Sequence, residues 1–211
     1  KLPVLKLVDS RAMPELQLAP EHTWHMFLSH IWGTGQDQCA TIKRQLKLLM
    51  PGVSIFLDVD DLKSIDALEE YVDATAVIMI FVSKGYFGSK NCLREAVCTV
   101  SKQKRIALVH DSAVYLPSFA PLEEIKNELD CEKGAQELVK AQEGVDEGRL
   151  LSAAQLRAAI FQENAPSPRK VIPWHRIKDF QLMSLKQLAE ELLLGCPWPD
   201  GQIPAQVPLF V

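Results

Sequence analysis

Residues 83–95 read Ser-Lys-Gly-Tyr-Phe-Gly-Ser-Lys-Asn-Cys-Leu-Arg-Glu, a set of hydroxyls, a thiol and a carboxylate spaced over a turn and the start of a helix. The turn follows an unbroken apolar run, Ala-Val-Ile-Met-Ile-Phe-Val at 76–82, of the kind found in strands covered by helices on both faces. In open parallel sheets ligands bind beside the carboxyl ends of such strands, so Ser83, Tyr86, Ser89, Cys92 and Glu95 occupy the position of an active-site rim. Along the helix that follows, Leu93, Val97 and Val100 recur at core-facing spacing, and Asn91, Glu95, Thr99 and Lys102 form a polar stripe. This pattern places Glu95 at the rim as a partly exposed carboxylate, whose replacement should change stability by no more than about 1 kcal/mol. Taken alone, a Glu on a helix is more often a solvated surface residue.

The elements that must position these residues alternate strand and helix. Strands are expected at 24–29, 53–57, 76–82, 105–110 and 170–173. Helices are expected at 37–50, 65–73, 91–102 and 179–194. Such alternation implies right-handed crossovers, and hence an α/β flavodoxin-like three-layer fold with a central parallel sheet of about five strands. The domain is expected to span 21–194, after an N-terminal extension at 1–20. A charged, helix-prone insertion at 116–168 is expected to be either an ordered excursion or a partly mobile one. Residues 195–211 hold four of the thirteen prolines and resemble an exit linker or an extended strap, as in a fragment of a larger protein.

In this topology the turns after the first three strands meet on one edge. The first, His30 to Gln36, offers Gly33 and Gly35 for close backbone approach and Trp32 as a stacking surface or a partly buried residue. The second, residues 58–64, holds Asp58, Asp60 and Asp61. Carboxylates at a strand end can hold magnesium for phosphoryl transfer. Against that chemistry, Leu62 stands where a threonine or valine would be expected, and the loop follows the second strand and not the first. A solvated acidic loop is the simpler reading.

Composition bounds the partners. The chain has 211 residues, 47% hydrophobic and 24% charged, enough for one sizeable core in a soluble globular protein. Its net charge is −4, and residues 119–149 alone carry −5, which leaves no basic face for nucleic acid or anionic membrane. No apolar run approaches the roughly 20 residues of a membrane span, and no signal peptide opens the chain. The five cysteines are odd in number and widely spaced, as expected for reduced thiols in a cytoplasmic protein. Neither they nor the five histidines show metal-ligand spacing, so no metal or cofactor is expected.

Phe27-Leu28-Ser29-His30, Phe56-Leu57-Asp58-Val59 leading to Leu62, and the Ser83–Glu95 run together resemble a TIR (Toll/interleukin-1 receptor) domain. The family pattern at the third rim is matched by Ser83, Tyr86, Ser89, Cys92 and Glu95. It is departed from at Asn91, where many members have tryptophan, and at Ala96, where they have leucine. The resemblance implies one of two roles. One is an NAD+ glycohydrolase in signalling or defence, cleaving the nicotinamide–ribose bond to give nicotinamide and ADP-ribose or a cyclic variant. In that role NAD+ is the substrate and Glu95 the catalytic residue, with His30, Trp32 and Gly33 holding the nucleotide and Ser83, Leu62, Tyr86 and Cys92 lining the slot. The other is a non-enzymatic scaffold that signals by self-association with other TIR domains.

Overall fold

The computed structural model describes residues 4–61, 67–116, 119–198 and 204–210. Five strands form one parallel sheet: β2 (Trp24–Ser29), β3 (Ile55–Phe56), β4 (Thr75–Val82), β5 (Arg105–Asp111) and β6 (Val171–Trp174), in the order β3-β2-β4-β5-β6. Strand β4 is buried at all eight residues, which explains its unbroken apolar sequence. Val77, Met79 and Phe81 enter one core, and Ile78, Ile80 and Val82 enter the other. Strict alternation of side chains across the sheet thus supplies both layers from one segment.

On the first face lie α1 (Trp32–Leu49) and α8 (Lys178–Leu194), which bury Cys39, Ile42 and Leu46 and Leu185, Leu188 and Leu192. On the second lie α3 (Leu68–Asp73) and α4 (Lys90–Ser101), with the short α2 (Asp58–Asp61) following β3. The architecture is the expected flavodoxin-like three-layer one.

Helix α1 begins at Trp32, five residues before the sequence pattern suggests, so most of the expected first loop is helical. Two glycines lower intrinsic helix propensity there, and tertiary packing overrides it. A Cβ at Gly35 would lie 3.1 Å from His30 Cβ and 3.2 Å from Phe81 Cδ1, so the missing side chain lets the helix sit against the sheet. Of the acidic loop at 58–64, residues 58–61 are the helical turn α2. Lys43 neutralises two of its acids, at 3.1 Å from Asp60 and 2.6 Å from Asp61.

The charged segment after β5 is folded into α5 (Leu122–Asn127), a 3-10 turn (Glu128–Asp130), α6 (Glu132–Ala141) and α7 (Ala153–Phe161). Most of its charges face solvent, with Lys126 and Glu128 partly buried, while Ile125, Leu129, Leu138, Leu156, Ile160 and Phe161 are buried against α4 and the second core. Near the C-terminus, β7 (Leu209–Phe210) pairs antiparallel with β1 (Lys6–Leu7). Leu5, Val207 and Leu209 are buried in the first core.

A buried carboxyl group at the base of a cleft

The carboxyl ends of β2, β3 and β4 bring the three rim segments together around a cleft of about 350 Å3. Ser89 opens α4 as its N-cap, its hydroxyl accepting from the Cys92 N–H at 3.5 Å. Side chains on a helix lean toward its N-terminus, so Glu95, in the second turn, points back at the end of β2. There Ser29 donates a hydrogen bond to Glu95 Oε2. The Tyr86 hydroxyl lies 2.5 Å from Ser29 Oγ. A serine has one proton; when it is given to Glu95, the Tyr86 O–H must donate to Ser29. The result is a directed chain, Tyr86 to Ser29 to Glu95, that stabilises the ionised carboxylate.

Glu95 is only 5% exposed, although it lines the cleft. The polar stripe on α4 therefore does not mark a solvated face: Asn91 and Lys102 are exposed, but Glu95 and Thr99 are buried. Helices α3, α6 and α7 flank α4, and this lateral packing lies beyond what periodicity within one helix can register. Burial pushes the Glu95 carboxyl up to about 8, opposed by the Ser29 hydrogen bond. Asp58 and Glu69 raise it further, and Arg94 lowers it.

The other expected site residues divide in two. His30, Trp32, Gly33 and Cys92 line the cleft with Glu95. Trp32 is 57% exposed, and its indole N–H donates to Asp58 Oδ2, which holds the ring at the mouth and out of the core. Cys92 is buried, its thiol donating to the His30 carbonyl at 3.4 Å. His30 donates from Nδ1 to the Leu28 carbonyl at 3.0 Å, since a carbonyl can only accept. Its Nε2 therefore carries a lone pair in the neutral ring. It lies 3.7 Å from Asp58 Oδ1, too far for a hydrogen bond, and is buried without a hydrogen-bond partner among the described residues.

Tyr86 and Ser83 stand behind the cleft. Tyr86 is fully buried and meets the site from behind, through Ser29 and, at 3.5 Å, the Cys92 carbonyl, a correction to its expected place in the wall of the slot. Ser83 is buried at the end of β4, 2.8 Å from the Thr34 hydroxyl. Leu62 lies outside the described residues. Asn91, the departure from the family pattern, does line the cleft.

Four contributors are not marked as site residues by the sequence pattern: Ser29, which ends a buried strand and meets Glu95, Asp58, which opens the helical turn two residues after β3, and Ile31 and Leu68, which with Ser89 complete the wall. A polar residue terminating an apolar strand at the rim edge was the available signal for Ser29 and Asp58. Among the described residues no lysine or arginine lines the cleft, while Asp58 and Glu95 do. Among the described residues no group of three His, Cys, Asp or Glu side chains could hold a metal ion. The arrangement suits a planar or cationic group over Trp32 and a carboxyl aimed at a centre that becomes positive.

No known family's sequence profile matches the chain, and no curated protein matches it in sequence. Solved structures do. The chain is similar to TIR domains. The TIR domains of the activated Roq1 resistosome, which directly recognises the pathogen effector XopQ, share 18% identity over 78% of this chain and 96% of that one, with a TM-score of 0.47. A metazoan TIR-STING receptor from C. gigas in complex with 2',3'-cGAMP shares 15% identity over 60% of this chain, with a TM-score of 0.39. A further structure of the C. gigas receptor shares 14% identity over 62% of this chain, with a TM-score of 0.38. This chain spans 42% and 43% of those two receptor chains. The likeness to TIR domains is one of fold.

Proposed function

We propose that this TIR-like domain is an NAD+ glycohydrolase with Glu95 as its catalytic carboxylate. The observation that carries the reading is the buried Glu95 carboxyl at the base of a cleft that has an indole at its mouth and, among the described residues, no lysine or arginine in its wall. In the reaction the ribose C1′–nitrogen bond breaks, and its electron pair leaves with nicotinamide, which departs neutral and needs no general acid. Positive charge develops on the ribose, and ionised Glu95 lowers the barrier by facing it. Water then adds at C1′ and loses a proton, giving ADP-ribose. Trp32 offers the planar surface for the leaving ring, with Gly33 and the buried His30 in the wall beside it.

With its carboxyl pushed up to about 8, Glu95 is mostly protonated at neutral pH, and the cationic nicotinamide ring favours the ionised form. The rate with dilute NAD+ should therefore rise through about pH 8, and kcat should rise at lower pH. Nicotinamide release from the pure protein tests the reading. Glu95→Gln should lower it at least ~100-fold; a folded Glu95→Gln protein with full activity would refute the assignment.

A second reading, a scaffold acting by self-association, is favoured by the exposed Ile177, Phe180 and Met183 at the start of α8. Their three-residue spacing gathers them on one side of the helix. Assembly without nicotinamide release would select it.

A further inference from the structure

The charged segment between β5 and β6 lies away from the cleft, yet one of its acids reaches the turn behind Glu95. Glu128 is half buried, and both of its carboxylate oxygens are used. Oε1 accepts from the Gly85 N–H at 2.6 Å, and Oε2 from the Phe87 N–H at 3.1 Å. These two amides flank Tyr86, so one rigid anion clamps the backbone on both sides of that residue. The turn itself is opened by Gly85 at φ +90°, a conformation that glycine adopts without strain. The Tyr86 ring packs edge-on against Phe87, and Phe87 against Phe161 of α7. From this seat the Tyr86 hydroxyl meets Ser29, and Ser29 meets Glu95.

We propose that Glu128 is a positioning residue for Glu95, acting through the turn at 85–87, the Tyr86 hydroxyl and Ser29. The proposal rests on the reading of Glu95 as the reacting carboxyl. It gives the segment after β5 a part in the chemistry: it holds the donor chain that makes ionised Glu95 accessible. A glutamine at 128 would turn an amide N–H toward a backbone N–H, and an aspartate would fall short by one methylene.

The other groups that bear on Glu95 are His30 at the end of β2, Cys39 of α1, Asp58 of α2, Glu69 of α3, and Cys92 and Arg94 of its own helix. Those that bear on Glu128 are Glu124 of α5 and Lys133 of α6. All of them remain in the variants proposed below except where one is named as a control.

The test reads the proton affinity of Glu95 directly. In full-length protein labelled with 13C at the glutamate carboxyls, the Glu95 resonance is the one missing from Glu95→Gln, and it should titrate near about 8. Ser29→Ala should move that titration up by roughly one unit, because a hydrogen bond to the charged form is lost. Tyr86→Phe, which keeps the ring packing, should move it the same way by a smaller step. Glu128→Gln and the milder Glu128→Asp should each also raise it, and Tyr86→Phe with Glu128→Gln should shift it no further than Tyr86→Phe alone. The control Glu124→Gln makes no bond to the turn and should leave the effect of Glu128 intact.

A titration unchanged in either folded Glu128 variant overturns the proposal, as does full additivity in the double variant. Should Glu128→Gln fail to fold, Glu128→Asp decides. A wild-type protein that releases no nicotinamide would sink the glycohydrolase reading, while the titration would still decide the role of Glu128.

Discussion

Glu95 combines burial with a working hydrogen-bond chain, and the two pull its proton affinity in opposite directions. Burial is the larger effect, so the folded-state value stands near 8, above the ordinary glutamate value of 4.5. A raised folded value means that the unfolded chain releases this proton first. The stabilising contribution is then complete below about pH 4.5 and lost as pH rises through about 8. Glu95→Gln removes the titration. We therefore expect its thermal midpoint, relative to wild type, to improve steadily from pH 4 to pH 9, the gain at high pH being of the order of a few kcal/mol. Paired melts across that range check this, and a constant offset would show that the carboxyl does not titrate as described. This replaces the expectation of a near-neutral substitution, which assumed an exposed side chain.

At the level of elements, the site depends on how α4 is wedged between its neighbours. The turn carrying Glu128 and helix α6 meet at Gly134, where an added Cβ would fall 1.9 Å from the Glu128 carbonyl oxygen and 2.8 Å from its carbon. Both are backbone atoms, so no side-chain rotation relieves the contact. Gly134→Ala should therefore push α6 away from the turn and destabilise the domain by about 1–3 kcal/mol, although alanine is the better helix former. Urea unfolding measures the loss. Equal or greater stability would mean that α6 and the turn are not packed as described. Helix α1 offers the same lesson at Gly35, where close contact with His30 and Phe81 outweighs propensity.

On the scale of the whole molecule, the cleft sits on one edge of the sheet, and the exposed Ile177, Phe180 and Met183 lie at the start of α8, on the opposite face of the sheet from α4. If assembly completes the site, nicotinamide release per molecule should rise with protein concentration, and Phe180→Asp should flatten that dependence without changing the fold. Flat specific activity across a wide dilution series, in protein that stays monomeric by light scattering, would refute dependence on assembly and leave Glu95 catalysis standing. Among the described residues no helix is long and apolar enough to cross a membrane.

The places of the main strands and helices along the chain and the rim itself were legible in the sequence, because they follow from local signals: an unbroken apolar run for β4, apolar spacing in α1, α4 and α8, and polar turns after three strands. His30, Trp32, Gly33, Cys92 and Glu95 converge because topology alone brings those turns together. What remained hidden depends on contacts between segments far apart in sequence. Burial of Glu95 is decided by the helices flanking α4, the placement of Tyr86 behind the site by Ser29, 57 residues away, and the clamp on its turn by Glu128, 41 and 43 residues from Phe87 and Gly85. Periodicity reports which side of a helix faces the sheet; only the tertiary structure decides what closes over the other side, and with it whether a carboxylate is solvated or held, protonated, at the base of a cleft.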